Sequence, residues 1–434
     1  MGRPNGGAKE MVMRLKVAAL MLMVVAASHA LAQRGELRGV VVLARHGARS
    51  PIESETRSSV FNAQPWPKWS VKPGLLTPHG ITALQRMGGY YKQAYGGLIT
   101  RCQSVLGYST KSPRAIESAG VVMRVLEPQC DNHSIDLALT TDPPGLDAAK
   151  LADAENGRMG DDPVWFTQTY ARPLAVMHDV LTKCGGCKSV PDFRTMMIEA
   201  APPAMTQGMM LADTSSAQPK VIARDPRKEN AVAVGADFAQ NLLLQYIEGM
   251  PMSEVGWGRV DRAKLDELME MNTRYHDFML RTPLWSKAAA APLAEKIVSL
   301  LQMEAEGRGA ARFAYLSAHD ANLGWLGGLL QLDWKVSDQA QNATPPGSAM
   351  VFELRHDAKS NADTVRVMFV AQTLDQIRNL TPLTAGVFDA NAGMHAGAEK
   401  PSISPIYVPG CSGAGPEYAC SLSDFVRVVG ERVQ

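Results

Sequence analysis

Seven residues, Arg45-His46-Gly47-Ala48-Arg49-Ser50-Pro51, set one imidazole between two guanidiniums directly after the apolar run Val40, Val41, Val42 and Leu43. Those groups suit a phosphate monoester. Arg45 and Arg49 can hold phosphoryl oxygens through forked, charge-assisted hydrogen bonds, and His46 between them can attack phosphorus. The run Gly39 to Ala44 is short, β-branched and uninterrupted, which predicts a strand buried on both faces. Open α/β sheets bind their ligands at the C-terminal ends of such strands.

A second cluster stands far along the chain, where Phe313 to Ser317 reads as another short strand and Ala318-His319-Asp320-Ala321-Asn322-Leu323 follows it. A carboxylic acid there can protonate a departing alkoxide. Clustered positive groups can stabilise charge on the equatorial oxygens, so the chemistry requires no metal and no cofactor. Each pattern alone also fits a plain turn or a helix cap, because short patterns recur by chance. Together, and each behind a predicted strand, Arg-His-Gly-x-Arg-x-Pro and the later His-Asp resemble the signatures of the histidine acid phosphatases. That resemblance implies His46 as nucleophile, Arg45 and Arg49 as phosphate clamps, His319 as a further phosphate contact and Asp320 as the acid. It also implies a third arginine, which falls at Arg114. Ser104 to Thr110 can form a strand, and Ser112 and Pro113 signal the N-cap and first position of a helix whose first turn carries Arg114. Backbone N–H groups at such a helix start also favour an anion. Ala115 stands where the family usually has Thr.

The resemblance extends from about Val40 to Val429 and is weakest between Asp147 and Lys228. It is carried by Trp66 to Gly80, by Tyr246 to Arg259 with its Gly249-Met250-Pro251-Met252, by Asn342 to Gly347 and by Cys411 to Cys420, all similar to the bacterial periplasmic phytases and glucose-1-phosphatases. The expected fold is α/β, a three-layer α/β/α sandwich with a mostly parallel sheet and a smaller, mainly helical cap domain inserted in it. Strands and helices alternate at both ends of the chain, with Ile81, Leu84, Gly88, Tyr91 and Tyr95 on one helix face and Pro292, Leu293, Ile297, Leu300 and Leu301 on another. Between them, Val234, Phe238, Leu242 and Tyr246, then Leu265, Leu268, Tyr275 and Met279, mark further helices. The reading divides the chain into a leader (1–32), an α/β domain (33–150 and 286–434) and a cap (151–285). Met350 to Leu354 and Val365 to Ala371 return to the sheet, and the Gly-, Ala- and Pro-rich stretch from Thr381 to Pro409 reads as a long surface loop.

Composition fits a folded enzyme, with 46% hydrophobic and 20% charged residues over 434 positions. The net charge is +1. Residues 1–32 carry Arg3, Lys9, Arg14 and Lys16 against Glu10, a net of +3, so the remainder is at −2 and has no basic nucleic-acid footprint. Met13 to Ala32 reads as a secretory signal, with Arg14 and Lys16 ahead of the apolar Val17 to Ala27 and a small-residue cleavage pattern at Ala30-Leu31-Ala32. The mature chain then begins at Gln33, and translation can start at Met1, Met11 or Met13. The apolar stretch is short for a membrane anchor, so no stable membrane insertion is expected and the location is periplasmic or secreted. Six cysteines in an exported chain suggest three disulfides among fifteen possible pairings. The resemblance favours Cys102 with Cys130, Cys184 with Cys187, and Cys411 with Cys420. Cys184-Gly185-Gly186-Cys187 could also be a redox or metal pair, although no second Cys or His pair completes a zinc site.

Other candidates are plainer. Met196, Met197, Met205, Met209 and Met210 cluster, which suits an irregular core better than copper. His133, His178, His276, His356 and His395 stand singly, without metal-ligand spacing, and His79 opens a predicted helix.

The substrate rim departs from the phytase form of the family. Ile52 and Glu53 stand where Thr and Lys are typical, and Ala321, before Asn322, replaces a Thr. A carboxylate there repels polyanions, which counts against a dedicated phytase; the resemblance implies a small phosphomonoester substrate, broad, sugar-phosphate or phytate. A phosphotransferase of the mutase type and a non-catalytic phosphate-ester binder are the alternatives. Nothing in the sequence speaks to oligomeric state.

Overall fold

Strand β1 (Glu36–Arg45) sits inside an eight-stranded sheet, and its side chains divide between two cores. Val40, Val42 and Ala44 enter one apolar cluster, while Val41 and Leu43 enter another on the opposite face. This alternation makes β1 the middle of a three-layer structure. The computed structural model describes residues 35–56, 60–140, 147–160, 163–195, 231–309, 311–386, 398–415 and 417–434. The expected secretory signal, the methionine cluster between 196 and 210, and His395 lie outside the described residues.

The remaining strands are β2 (Val105–Ser109), β3 (Ile135–Asp136), β4 (Phe313–Ala318), β5 (Ala349–Asp357), β6 (Ala362–Ala371), β7 (Ser402–Pro405) and β8 (Cys420–Ser421). They run β3-β2-β4-β1-β5-β6-β7 across the sheet, with β8 also paired to β6. The first four of these are mutually parallel. β5 is antiparallel to β1, β6 to β5, and both β7 and β8 to β6. Five of the eight described strands therefore point the same way.

The α-helices are α1 (Glu53–Thr56), α2 (Pro78–Tyr95), α3 (Pro113–Leu126), α4 (Ala148–Arg158), α5 (Pro163–Thr169), α6 (Ala171–Thr182), α7 (Ala231–Ile247), α8 (Arg262–Leu280), α9 (Pro283–Ala305), α10 (Asp320–Leu329), α11 (Leu374–Arg378) and α12 (Leu422–Val433). Helices α2 and α3 cover the sheet face of Val40 and Val42, and α9, α10 and α12 cover that of Val41 and Leu43. Helices α4 and α6 to α8 share the second cluster, so the helical segment and one sheet face form a continuous apolar core. Helix α9 runs straight through residue 286, where the sequence suggested a boundary.

Thr381 to Pro409 is more than a surface loop, because Ser402–Pro405 pairs with Met368–Ala371 as edge strand β7. Four residues ending in proline carry too short a pattern to be read as a strand, and proline is tolerated at a sheet edge where its missing donor is not needed. The three cysteine pairs favoured by the resemblance are bonded, with Cα–Cα separations of 5.6, 5.6 and 5.3 Å. Among the described residues no helix is long and apolar enough to cross a membrane.

Candidate active site

Strand register brings the two distant motifs together. In the parallel β1–β4 pair Arg45 faces Ala318, so the next residues, His46 and His319, emerge side by side at the C-terminal strand ends. Their rings lie edge to face with centroids 5.2 Å apart. The β2–β4 pair sets Ser109 against Ser317, which delivers Thr110 to the same place, and its hydroxyl is 3.1 Å from Nε2 of His319. Short backbone ties hold the ends: His46 N–H donates to Ala318 O at 2.9 Å, and Arg45 N–H donates to Ser348 O at 2.8 Å.

The loop after β1 is clamped by α2 and α3. Gly47 N–H donates to the Ser118 hydroxyl, which itself donates to Arg114 O. The first turn of α2, capped by Thr77, passes so close that a Cβ at Gly80 would collide with the carbonyl of Ala48. Ser112 and Pro113 start α3 as the sequence indicated, and Arg114 sits in its first turn.

The electrostatics of His46 follow from its two partners. Nδ1 lies 2.9 Å from the carbonyl oxygen of Gly47, which only accepts, so Nδ1 carries the proton. Arg114 Nε, which only donates, lies 3.0 Å from Nε2, so Nε2 presents its lone pair. The ring is 2% exposed. Burial, then the positive neighbours Arg114, His319, Arg45 and Arg49, push its pKa well below the ordinary imidazole value. Arg114 Nη2 also reaches Nδ1 of His319 at 3.5 Å.

Arg45 and Asp320 form an ion pair, Nη2 to Oδ2 at 2.8 Å, and Arg45 Nη1 donates to Thr344 O in the Asn342–Gly347 stretch. Burial raises the Asp320 pKa, but Arg45, then His276, His319 and Arg49, more than reverse this and hold the carboxyl below its usual range. Asp320 opens α10, with its side chain 22% exposed. Asn322 does not form a rim: it is 2% exposed, its Oδ1 accepts from His319 N–H and its Nδ2 donates to Thr140 O, so it caps α10 and ties down His319. Ala321 is buried beside it. Ile52 is half-buried, and Glu53 begins α1, its side chain lying outside the described residues.

Several site residues carry no motif that a sequence reading could find. Glu55 accepts two hydrogen bonds from Arg49, both 2.8 Å, and a third from Ile52 N–H at 2.8 Å, while Asn241 of α7 donates to its backbone carbonyl. Arg49 therefore already holds a buried carboxylate. His276 of α8, one of the single histidines, lines a cavity with Arg45 and Asp320, and Gln240 of α7 lines it too. Only the fold brings these helices over the strand ends. Among the described residues no group of His, Cys, Asp and Glu could hold a metal ion.

Comparison with known proteins identifies the family. Residues 36–370 match the family model of the histidine phosphatase superfamily (branch 2). The chain is 28% identical over 424 residues to phytase AppA of Escherichia coli (strain K12), covering 91% of this chain and 92% of that protein. It is 27% identical to the glucose-1-phosphatase of Salmonella typhimurium, covering 80% and 84%. Among solved structures, Hafnia alvei phytase in complex with tartrate superposes with a TM-score of 0.73 at 26% identity, covering 92% of this chain and 98% of that one. The chain belongs to the histidine phosphatase superfamily (branch 2), as a phosphoric monoester hydrolase of the histidine acid phosphatase type.

Proposed function

We propose that the chain hydrolyses phosphate monoesters in two steps through a phosphohistidine at Nε2 of His46. The observation that carries this reading is the fixed tautomer of His46, which aims an unprotonated Nε2 into a cluster of three arginines. Arg45, Arg49, Arg114 and His319 hold the phosphoryl oxygens, exchanging bonds they now make with Asp320, Glu55 and the histidines for bonds to substrate. Nε2 attacks phosphorus as the ester P–O bond breaks, and Asp320 gives its proton to the departing alcohol oxygen. Water then attacks the phosphohistidine, returning the imidazole and releasing phosphate.

Asp320 needs a proton for this role, yet its ion pair with Arg45 favours the carboxylate. A phosphate monoester below its second ionisation, near about pH 6, brings that proton with it. When the phosphoryl group engages Arg45, the cation that depresses Asp320 is shared and the proton can pass to the carboxyl. Residues 151–285 serve as the cap over this site, and the chain is exported after cleavage near Ala32; the three cysteine pairs support an oxidising compartment.

The test is His46→Ala assayed with p-nitrophenyl phosphate, with rapid acid and alkaline quenching of the wild type to trap an acid-labile phosphoenzyme. The variant should lose at least about 10³-fold in kcat. Retained activity, or a wild type that forms no phosphoenzyme, would refute the assignment. Transfer of phosphate to an added alcohol in preference to water would favour the phosphotransferase alternative.

A further inference from the structure

A run of buried polar groups joins the helical segment to the arginine cluster. Gly256 N–H donates to Oε1 of Gln245 at 2.9 Å, Nε2 of Gln245 donates to Oδ1 of Asn241 at 3.0 Å, and Nδ2 of Asn241 donates to the backbone carbonyl of Glu55 at 3.1 Å. The Glu55 carboxylate then holds Arg49. We infer that Asn241 is a positioning residue of the phosphate site: it keeps Glu55 seated on Arg49 as an internal anion that substrate and product phosphate must displace, and so sets how tightly the site holds phosphate. This rests on the phosphatase reading above, in which Arg49 takes a phosphoryl oxygen.

The relay has one possible direction. A backbone N–H only donates and a backbone carbonyl only accepts, so its two ends fix the orientation of both side-chain amides. Asn241 and Gln245 stand one turn apart on α7, facing the same way, and both are fully buried. Leu242, Leu243 and Leu244 between them are buried too. Amides in such surroundings are unfavourable unless their polar atoms are matched, and here the matches lead to Glu55. The far end is pinned as well. Gly256 and Trp257 both have positive φ, 53° and 57°, in a turn where the Trp257 ring stacks on Trp66 with centroids 4.8 Å apart and its Nε1 donates to Pro65 O at 2.9 Å.

The near end has little strength of its own. Helix α1 is four residues long, too short to persist without outside contacts. Ile52 N–H donates to the Glu55 carboxylate at 2.8 Å and Glu55 N–H returns a bond to Ile52 O at 3.1 Å, and Asn241 ties this turn to a long buried helix. The carboxylate meets Nη1 and Nη2 of Arg49 through two parallel bonds, the same fork that a phosphoryl group uses. A tethered anion competes with a free one at an effective concentration set by how well its backbone is held. Loss of Asn241 therefore weakens the competitor and tightens phosphate binding. A packing defect beside the site would act the other way, by disordering the arginines.

The test measures the inhibition constant of inorganic phosphate against p-nitrophenyl phosphate hydrolysis for the purified chain, Asn241→Leu, Glu55→Gln and the double variant. Asn241→Leu should lower the constant about threefold and Glu55→Gln at least about tenfold, and the double variant should match Glu55→Gln, because the tie matters only while the carboxylate it holds is present. An inhibition constant does not depend on how much of the enzyme is folded, so partial misfolding leaves it readable. Asn241→Ala, measured alongside, should move it in the same direction as Asn241→Leu. An unchanged or raised constant in the Asn241 variants or in Glu55→Gln, or additive effects in the double variant, would overturn the inference. Absence of wild-type turnover would instead overturn the phosphatase reading, and calorimetric titration of the same proteins with inorganic phosphate would still read the shifts.

Discussion

Arg114 donates through Nε to Nε2 of His46 at 3.0 Å, while the opposite ring nitrogen is held by Gly47 O. A cation bonded to the proposed nucleophilic nitrogen both selects the tautomer and opposes protonation, which is what attack on phosphorus in acid requires. Burial is the larger cause of the lowered pKa and Arg114 the next. Arg114→Gln should therefore raise the His46 pKa toward the free value of about 6.5. Because the protonated ring is inactive and the Arg114–His46 bond belongs to the free enzyme, the acid limb of the kcat/KM profile should move to higher pH, and a pH–rate series on p-nitrophenyl phosphate would register the shift. An unmoved acid limb would show that Arg114 does not govern this titration.

Asp320→Asn removes a transferable proton but keeps a hydrogen-bonding group of the same size. Loss of general acid catalysis should cost about 10² to 10⁴ in kcat on alkyl phosphates and far less on p-nitrophenyl phosphate, whose leaving group departs unaided. Equal losses on both would exclude the acid role.

The wild-type pH profile should be set on its alkaline side by the substrate. With Asp320 held below the usual carboxylate range by Arg45, His276 and His319 against its burial, the free enzyme is ionised there throughout mild acid, and the required proton arrives on the phosphate monoanion. kcat/KM should fall as pH rises through the second ionisation of the substrate, near about 6. Esters with different second ionisation constants should shift that limb correspondingly, and a limb that stays fixed across esters would point to an enzyme group instead.

Glu55 balances the buried charge of Arg49 through two parallel hydrogen bonds. Truncation to alanine removes one partner of a buried pair, and urea unfolding should show a loss of about 3–5 kcal/mol. Inorganic phosphate, which can replace the carboxylate, should stabilise Glu55→Ala more than the wild type in thermal melts. Equal stabilisation of both would separate Glu55 from the phosphate site.

Gly80 lets the start of α2 approach the backbone of the His46 loop. Gly80→Ala places a methyl group against the Ala48 carbonyl, where neither backbone segment can yield freely. A destabilisation of about 1–3 kcal/mol is expected with a fall in kcat, measured by urea unfolding and by assay of the folded fraction. Full stability and activity would mean that the loop accommodates the methyl group.

Much of this was legible in the chain itself. The run Val40 to Ala44 is apolar at every position because both faces of β1 are covered, and that local fact predicts the strand and the ligand end beyond it. Ser112-Pro113 likewise announces the helix that carries Arg114, because capping is a matter of a few adjacent residues. The four-residue edge strand β7 was not legible, since the strand it pairs with, β6, lies more than thirty positions earlier in the chain.

Residue types and spacing alone determined that this protein carries imidazole, guanidinium and carboxyl groups behind short buried strands, and thereby its class of chemistry. Tertiary structure decided what those groups face. The β1–β4 register sets His46 beside His319, and helices far away in sequence bring Gln240 and His276 to Asp320 and Asn241 to Glu55. Such pairings leave no local signal, because electrostatic and hydrogen-bond partnerships depend on distance in space, and a chain that folds through long-range contacts does not write that distance in its order of residues.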